Sequence, residues 1–220
     1  MRKILWLLLV LLLLAGCASR PAPEWIGASY NHLERYKEHY LRGNESLADK
    51  SFQKAFEEIK SSGDIDAMAK ACLIKIAVRT AALEAFDDRE YLRPAAVLPT
   101  LPYVHYYSFL KGSFEKVDVN ELPGQYRHFL KALLTGNRID IEREASLIED
   151  PLSRLIAAGL IVRDRQESEA LLNGAIETAS RQGWKKPLLA YLTKLEIFYD
   201  SKKELKKAAD VRKRLELIGP

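Results

Sequence analysis

The sequence predicts an all-α chain built of helical hairpins, and three observations carry that prediction. Apolar residues recur at steps of three and four almost throughout, no stretch alternates in the manner of a strand, and a glycine followed by a short polar residue punctuates the chain at Gly43-Asn44, Gly63-Asp64, Gly112-Ser113 and Gly136-Asn137. A glycine can take the left-handed conformation that closes one helix, and the polar side chain after it can cap the amides that open the next.

Taken in order, the first helix spans 24–42 on the stripe Ile26, Tyr30, Leu33, Tyr36 and Tyr40, and the second, 45–61, lies between two of the glycine junctions. The third, 65–86, has apolar residues or alanine at fifteen of the twenty positions 67–86, spread all round the helix, so it should be central and buried. Lys70, Lys75, Arg79 and Glu84 interrupt it and argue against a membrane span. Helices at 103–111 and 122–135 close at Gly112 and Gly136, and 139–149 and 151–162 follow. The helix 166–182 stops at Gly183, 185–199 is apolar on two sides, and 202–218 carries the stripe Leu205, Ala208, Val211, Leu215 and Ile218 before Gly219. Helices apolar on two sides suit a stack in which each hairpin packs on both neighbours. Pro94, Pro99 and Pro102 break the pattern over 91–107, where Tyr91, Tyr103, Tyr106 and Tyr107 gather. This segment should join an N-terminal helical group, 24–90, to a C-terminal one, 108–220.

Within 166–220, Leu192, Leu195, Tyr199, Ala208 and Pro220 fall at the spacing of the key positions of the tetratricopeptide repeat, which this region resembles. Glu196 stands where that motif has a small residue and Arg212 where it has an aromatic one. Pro151, Pro187 and Pro220 recur at intervals of 36 and 33, and Ala175 lies 33 before Ala208, as a second degenerate unit would require. The resemblance implies stacked hairpins; an irregular helical bundle is the competing architecture.

The N-terminus carries an address. Arg2 and Lys3 precede an unbroken apolar run from Ile4 to Ala15, the basic-then-apolar order of a secretory signal. Twelve helical residues would reach only about 18 Å against roughly 30 Å of hydrocarbon. Leu14-Ala15-Gly16-Cys17 resembles the lipobox of bacterial lipoproteins. That resemblance implies removal of residues 1–16, diacylglyceryl attachment at Cys17, a short lipidated tether over 17–23, and a stable membrane anchor. With Ala18 and Ser19 after the cysteine rather than aspartate, it implies the periplasmic leaflet of an outer membrane. Lipidation would leave Cys72 without a disulfide partner and expected to be a buried structural thiol.

Patterns that carry chemistry are sparse. No glycine-rich phosphate loop or Gly-x-Ser-x-Gly elbow occurs, and His32, His39, His105 and His128 include no pair three or four residues apart. The acidic stretch Glu142, Glu144, Glu149 and Asp150 reads as a solvated face. No enzyme, metal or cofactor is expected. The net charge of +4 hides a polarised end: residues 138–180 hold 5 basic and 9 acidic side chains, residues 181–220 hold 11 and 5. Lys202, Lys203, Lys206, Lys207, Arg212, Lys213 and Arg214 make the last helix a basic surface, facing anionic lipid, cell-wall polymer or an acidic protein rather than nucleic acid if the protein is exported. Tyr103, Tyr106 and Tyr107 are the other candidate contact surface, since tyrosine is enriched at interfaces; the alternative is that they plug the seam between the two helical groups. The expected function is a lipid-anchored adaptor that holds or assembles other envelope proteins. The alternatives are a structural lipoprotein that contacts wall or lipid through Lys203, Lys206 and Lys207, and an envelope-polymer enzyme.

Overall fold

A computed structural model describes residues 23–98, 100 and 103–219. The leader, Cys17, most of the tether, Pro99, Pro102 and Pro220 lie outside the described residues. Eleven α-helices and three single 3-10 turns account for the described architecture, with no strand among the described residues. The helices are α1 (Glu24–Leu41), α2 (Glu45–Ser62), α3 (Ile65–Ala81), α4 (Arg89–Ala95), α5 (Val104–Lys111), α6 (Arg127–Thr135), α7 (Arg138–Ser146), α8 (Pro151–Arg163), α9 (Glu169–Gln182), α10 (Lys185–Ser201) and α11 (Leu205–Ile218). The 3-10 turns, Phe114–Lys116, Val119–Glu121 and Gly124–Tyr126, fill the space between α5 and α6.

The four glycine junctions behave as the sequence predicts, each glycine having a φ between 72° and 88°. Capping differs among them. The Asp64 carboxylate accepts from the Ala67 amide and the Asn137 side chain from Ile139, whereas Asn44 and Ser113 make no side-chain cap. Two further caps come from Asp150, accepting from Ser153 with Pro151 in the first turn of α8, and Ser168, accepting from Leu171.

Three elements depart from the sequence reading, one of them the helix expected at 122–135, which starts only at Arg127 after the 3-10 turn Gly124–Tyr126. The third helix ends at Ala81 rather than 86, because Leu83 takes a left-handed φ of 58° and turns the chain. The segment 91–107 is not a plain loop: α4 runs through Pro94, which removes one amide donor from its last turn and is followed by a single further helical residue, and α5 starts directly after Tyr103, itself left-handed at φ 62°.

α1 and α2 form an antiparallel hairpin, α4 folds back on α3, and α9, α10 and α11 pack in sequence. Two contacts join the halves. α3 lies on α8, whose buried face includes Leu155, Ile156, Gly159 and Leu160. α10 returns to α1, where the Trp184 indole donates to Glu38 at 3.3 Å. Next to that contact the Lys186 side chain, only 12% exposed, pairs with Glu84 at 2.7 Å and with Glu45, and lies over the Tyr40 ring at 4.2 Å. The Tyr40 hydroxyl donates to Glu84. Burial raises the Glu84 carboxyl, but the Lys186 ammonium and the Tyr40 hydroxyl outweigh it and hold the group below the ordinary carboxylate value.

The α3–α8 crossing depends on Gly159. A Cβ there would stand 2.3 Å from the Thr80 carbonyl oxygen, so the two backbones touch where no other side chain would let them. Cys72 is buried on α3, and burial pushes its thiol up to about 12.

Candidate functional site

A largely apolar groove of about 590 Å³ is floored by α3 and α8 and walled by the turns 119–126. Its floor comes from residues far apart in sequence, Leu73, Ile74, Ala77 and Val78 on one helix and Leu152 and Ile156 on the other. The same apolar all-round character that predicted a central helix supplies this surface: α3 buries one side and leaves Ile74 half-buried in the groove.

Hydrogen bonds from side chains to backbone hold the irregular wall. His105 Nδ1 accepts from the Asp118 amide at 3.0 Å, and the Asp118 carboxylate accepts from the Asn120 amide at 2.9 Å. The Arg127 guanidinium donates to the carbonyls of Leu122 at 3.0 Å and Asn120 at 2.9 Å. These contacts satisfy a stretch that has little helical bonding of its own. Behind the wall, Tyr126 is buried, with its ring 4.9 Å from Phe109 and 5.9 Å from Tyr106.

The groove brings together two of the three tyrosines singled out in the sequence. Tyr103 stands at its rim, 40% exposed, with its hydroxyl donating to Asp66 at 3.2 Å and the Lys70 ammonium 5.9 Å from its ring. Tyr106 lines the groove but packs against the core, and burial pushes its phenol up to about 12. Tyr107 is not part of the groove. Its ring lies 4.5 Å from that of buried Tyr91 and its hydroxyl donates to Asp88 at 2.7 Å, which ties α5 to the start of α4. One of the three is thus freely presented, one lines the groove from the core, and one packs at the α4–α5 junction.

The lysines separate in a similar way. Lys207 pairs with Glu204 at 2.7 Å and Glu169 at 3.3 Å and covers the Tyr199 ring, and Arg212 pairs with Glu196 at 2.7 Å. Lys203 and Lys206 are exposed and have no carboxylate partner among the described residues.

Three of the groove's charged groups are engaged in structural roles, Arg127 in the wall and Lys37 and Asp150 at its ends, whereas Glu121 and Lys70 are exposed. Lys37 pairs with Glu34 at 2.7 Å, and Asp150 caps α8. Burial raises the groove's phenols Tyr103, Tyr106 and Tyr126, which stay protonated at neutral pH and offer hydrogen bonding to a ligand. A second cleft between α7, α8 and α9, of about 520 Å³, contains three arginines. Arg143 pairs with Asp140 at 2.8 Å, Arg154 donates to the Ile148 carbonyl at 2.8 Å, and Arg181 pairs with Glu177. No three histidine, cysteine or carboxylate side chains among the described residues are placed to hold a metal ion, and no described helix is long and apolar enough to cross a membrane.

Neither of the two clefts was legible as a unit, because one lining is gathered from five segments between Lys37 and Ile156 and the other from three helices between Glu142 and Gln182. The lone glycine in the apolar run 155–162 was the one local sign that α8 meets another backbone. Comparisons with known protein families, characterised proteins and solved structures find no match to this chain.

Proposed function

We propose that this protein is a lipid-anchored helical adaptor of the bacterial cell envelope, which uses the α3–α8 groove to hold or assemble other envelope proteins. The observation that carries the reading is the groove itself: an apolar floor and an exposed tyrosine at the rim, which suits capture of an apolar peptide segment. The motif ending in Cys17 supports the anchor, and the hairpin order of α9 to α11 is what a tetratricopeptide-like unit would give.

A photo-crosslinking residue in place of Tyr103 should yield a discrete adduct with one envelope protein in intact cells, and Ile74→Lys in the floor should abolish it. An adduct that survives Ile74→Lys, or that forms equally from exposed Tyr30 on α1, would count against the groove. Cys17→Ser should abolish labelling with a fatty-acid analogue.

The unpaired lysines favour a second reading, contact of α11 with anionic lipid or wall polymer. Lys203→Glu with Lys206→Glu should then weaken salt-sensitive binding to anionic vesicles, whereas Lys207→Glu should act chiefly on stability through Glu169 and Glu204.

A further inference from the structure

Four cations from three helices meet where α3 and α8 end. Lys111 at the end of α5, Arg163 and Arg165 at the end of α8, and Lys194 in the middle of α10 border a cleft of about 540 Å³, with Leu83 and Phe86 among its apolar lining. Two of the four are engaged, Lys111 with Asp88 at 2.6 Å and Arg163 with the Leu110 carbonyl at 2.6 Å. Arg165 and Lys194 have no carboxylate partner among the described residues. The one carboxylate of the lining, Glu84, is already held by Lys186 and the Tyr40 hydroxyl.

Cations near a helix C-terminus favour its dipole, which accounts for Arg163 and Arg165 at the end of their own helix. It does not account for Lys194, which comes from the middle of another helix, or for the gathering of four like charges beside an apolar wall. We infer that this cleft binds an acidic peptide segment of a partner protein, with carboxylates facing Arg165 and Lys194 and an apolar side chain against Phe86. This goes beyond the groove and names a second contact of different chemistry.

The position of the cleft favours a peptide over a lipid headgroup. Glu84 on its rim bonds Tyr40, and α1 rises about 24 Å between Glu24 and Tyr40. The cleft therefore sits at the far end of α1 from the point where the tether enters the fold, and with α1 standing away from the bilayer it would lie beyond the roughly 8–10 Å over which a charged surface acts in physiological salt. This step rests on the anchor reading.

The test uses the full chain in detergent and a short fluorescein-labelled peptide alternating glutamate and phenylalanine, with its lysine-phenylalanine counterpart as control. Anisotropy should show saturable binding of the acidic peptide only, and Arg165→Gln with Lys194→Gln should weaken it about tenfold, whereas Lys203→Gln with Lys206→Gln should change it by less than about twofold. Neither pair has a partner to lose, so thermal midpoints should hold; if the double cleft variant misfolds, Lys194→Gln alone should cost about threefold. Equal loss in both double variants, no loss in the cleft variant, or no saturable binding would overturn the proposal. Loss of phosphatidylglycerol-vesicle binding in the cleft variant with peptide binding intact would also overturn it, in favour of a headgroup. Crosslinking from Tyr103 should survive the cleft substitutions, so failure here and failure of the groove reading are separable.

Discussion

Gly159→Ala should destabilise the protein by about 3 kcal/mol, and the structure supplies the reasoning. The added methyl would sit 2.3 Å from the Thr80 carbonyl oxygen and 3.1 Å from its carbonyl carbon. Ordinary carbon–oxygen contact needs roughly an ångström more, and backbone cannot swing aside as a flexible side chain can, so α3 and α8 must part. Opening a packed interface by 0.5–1 Å forfeits about a quarter to a half of each atom-pair attraction of ~0.1–0.2 kcal/mol. For about a hundred pairs along the crossing that is roughly 2.5–10 kcal/mol, from which about 1 kcal/mol returns because alanine is the better helix former, and partial relaxation of the helices keeps the net loss toward the lower end. A loss of this size should lower the thermal midpoint by about 6–12 °C, read by circular dichroism at 222 nm. Adding Thr80→Ala should not rescue the variant, because the obstacle is the Thr80 carbonyl and its side-chain methyl is 3.5 Å away. A midpoint unchanged within about 2 °C, or rescue by Thr80→Ala, would refute the close approach of the two backbones.

Lys186→Met should cost about 1–2 kcal/mol in urea unfolding near neutral pH, between the values for exposed and buried pairs, since its partners are partly exposed. The pH dependence has a definite sign: the Glu84 carboxyl is lowered in the fold, so its contribution is complete above its ordinary value of 4.5 and is lost as pH falls through the folded value, and the gap between wild type and Lys186→Met should close in that acid range. Tyr191→Phe removes a hydroxyl that donates to the Leu155 carbonyl at 3.0 Å inside the core and should cost about 1 kcal/mol by the same assay. Cys72, buried with its thiol raised to about 12, should resist Ellman's reagent in the native protein and react as fast as a model thiol in denaturant.

What the sequence revealed and what it hid follow from the range of the interactions involved. Helix positions depend on local periodicity and on caps, so the four glycine junctions, the buried character of 67–86 and the part of the first stripe formed by Leu33, Tyr36 and Tyr40 were readable, whereas Ile26 and Tyr30 of that stripe are exposed. Pro94 misled because a proline is read as a breaker, yet here the helix begins five residues before it and stops one residue after it. Leu83 gave no sign of its left-handed turn, since nothing in a leucine announces it. The fates of Tyr103, Tyr106 and Tyr107 diverge because a residue just before a short helix and two on it face different neighbours, Asp66, Tyr126 and Tyr91 respectively, and only the tertiary fold sets those neighbours. Arg165 and Lys194 looked like ordinary surface charge until α8 and α10 placed them on one cleft.

The return of α10 to α1 changes how the chain must fold and fail. In an open stack of hairpins each unit leans only on its neighbours, and an end can fray without news of it reaching the other. Here Trp184 and Lys186 close a loop of more than 140 residues on Glu38 and Glu45, so the last hairpins help to define the first. Closing such a loop costs chain entropy before any contact compensates for it, which makes this seam a late event in folding. Once formed, it couples both ends in a single unfolding unit, and the amides of α1 should exchange with solvent at the pace of α10 rather than at the pace of a free terminus.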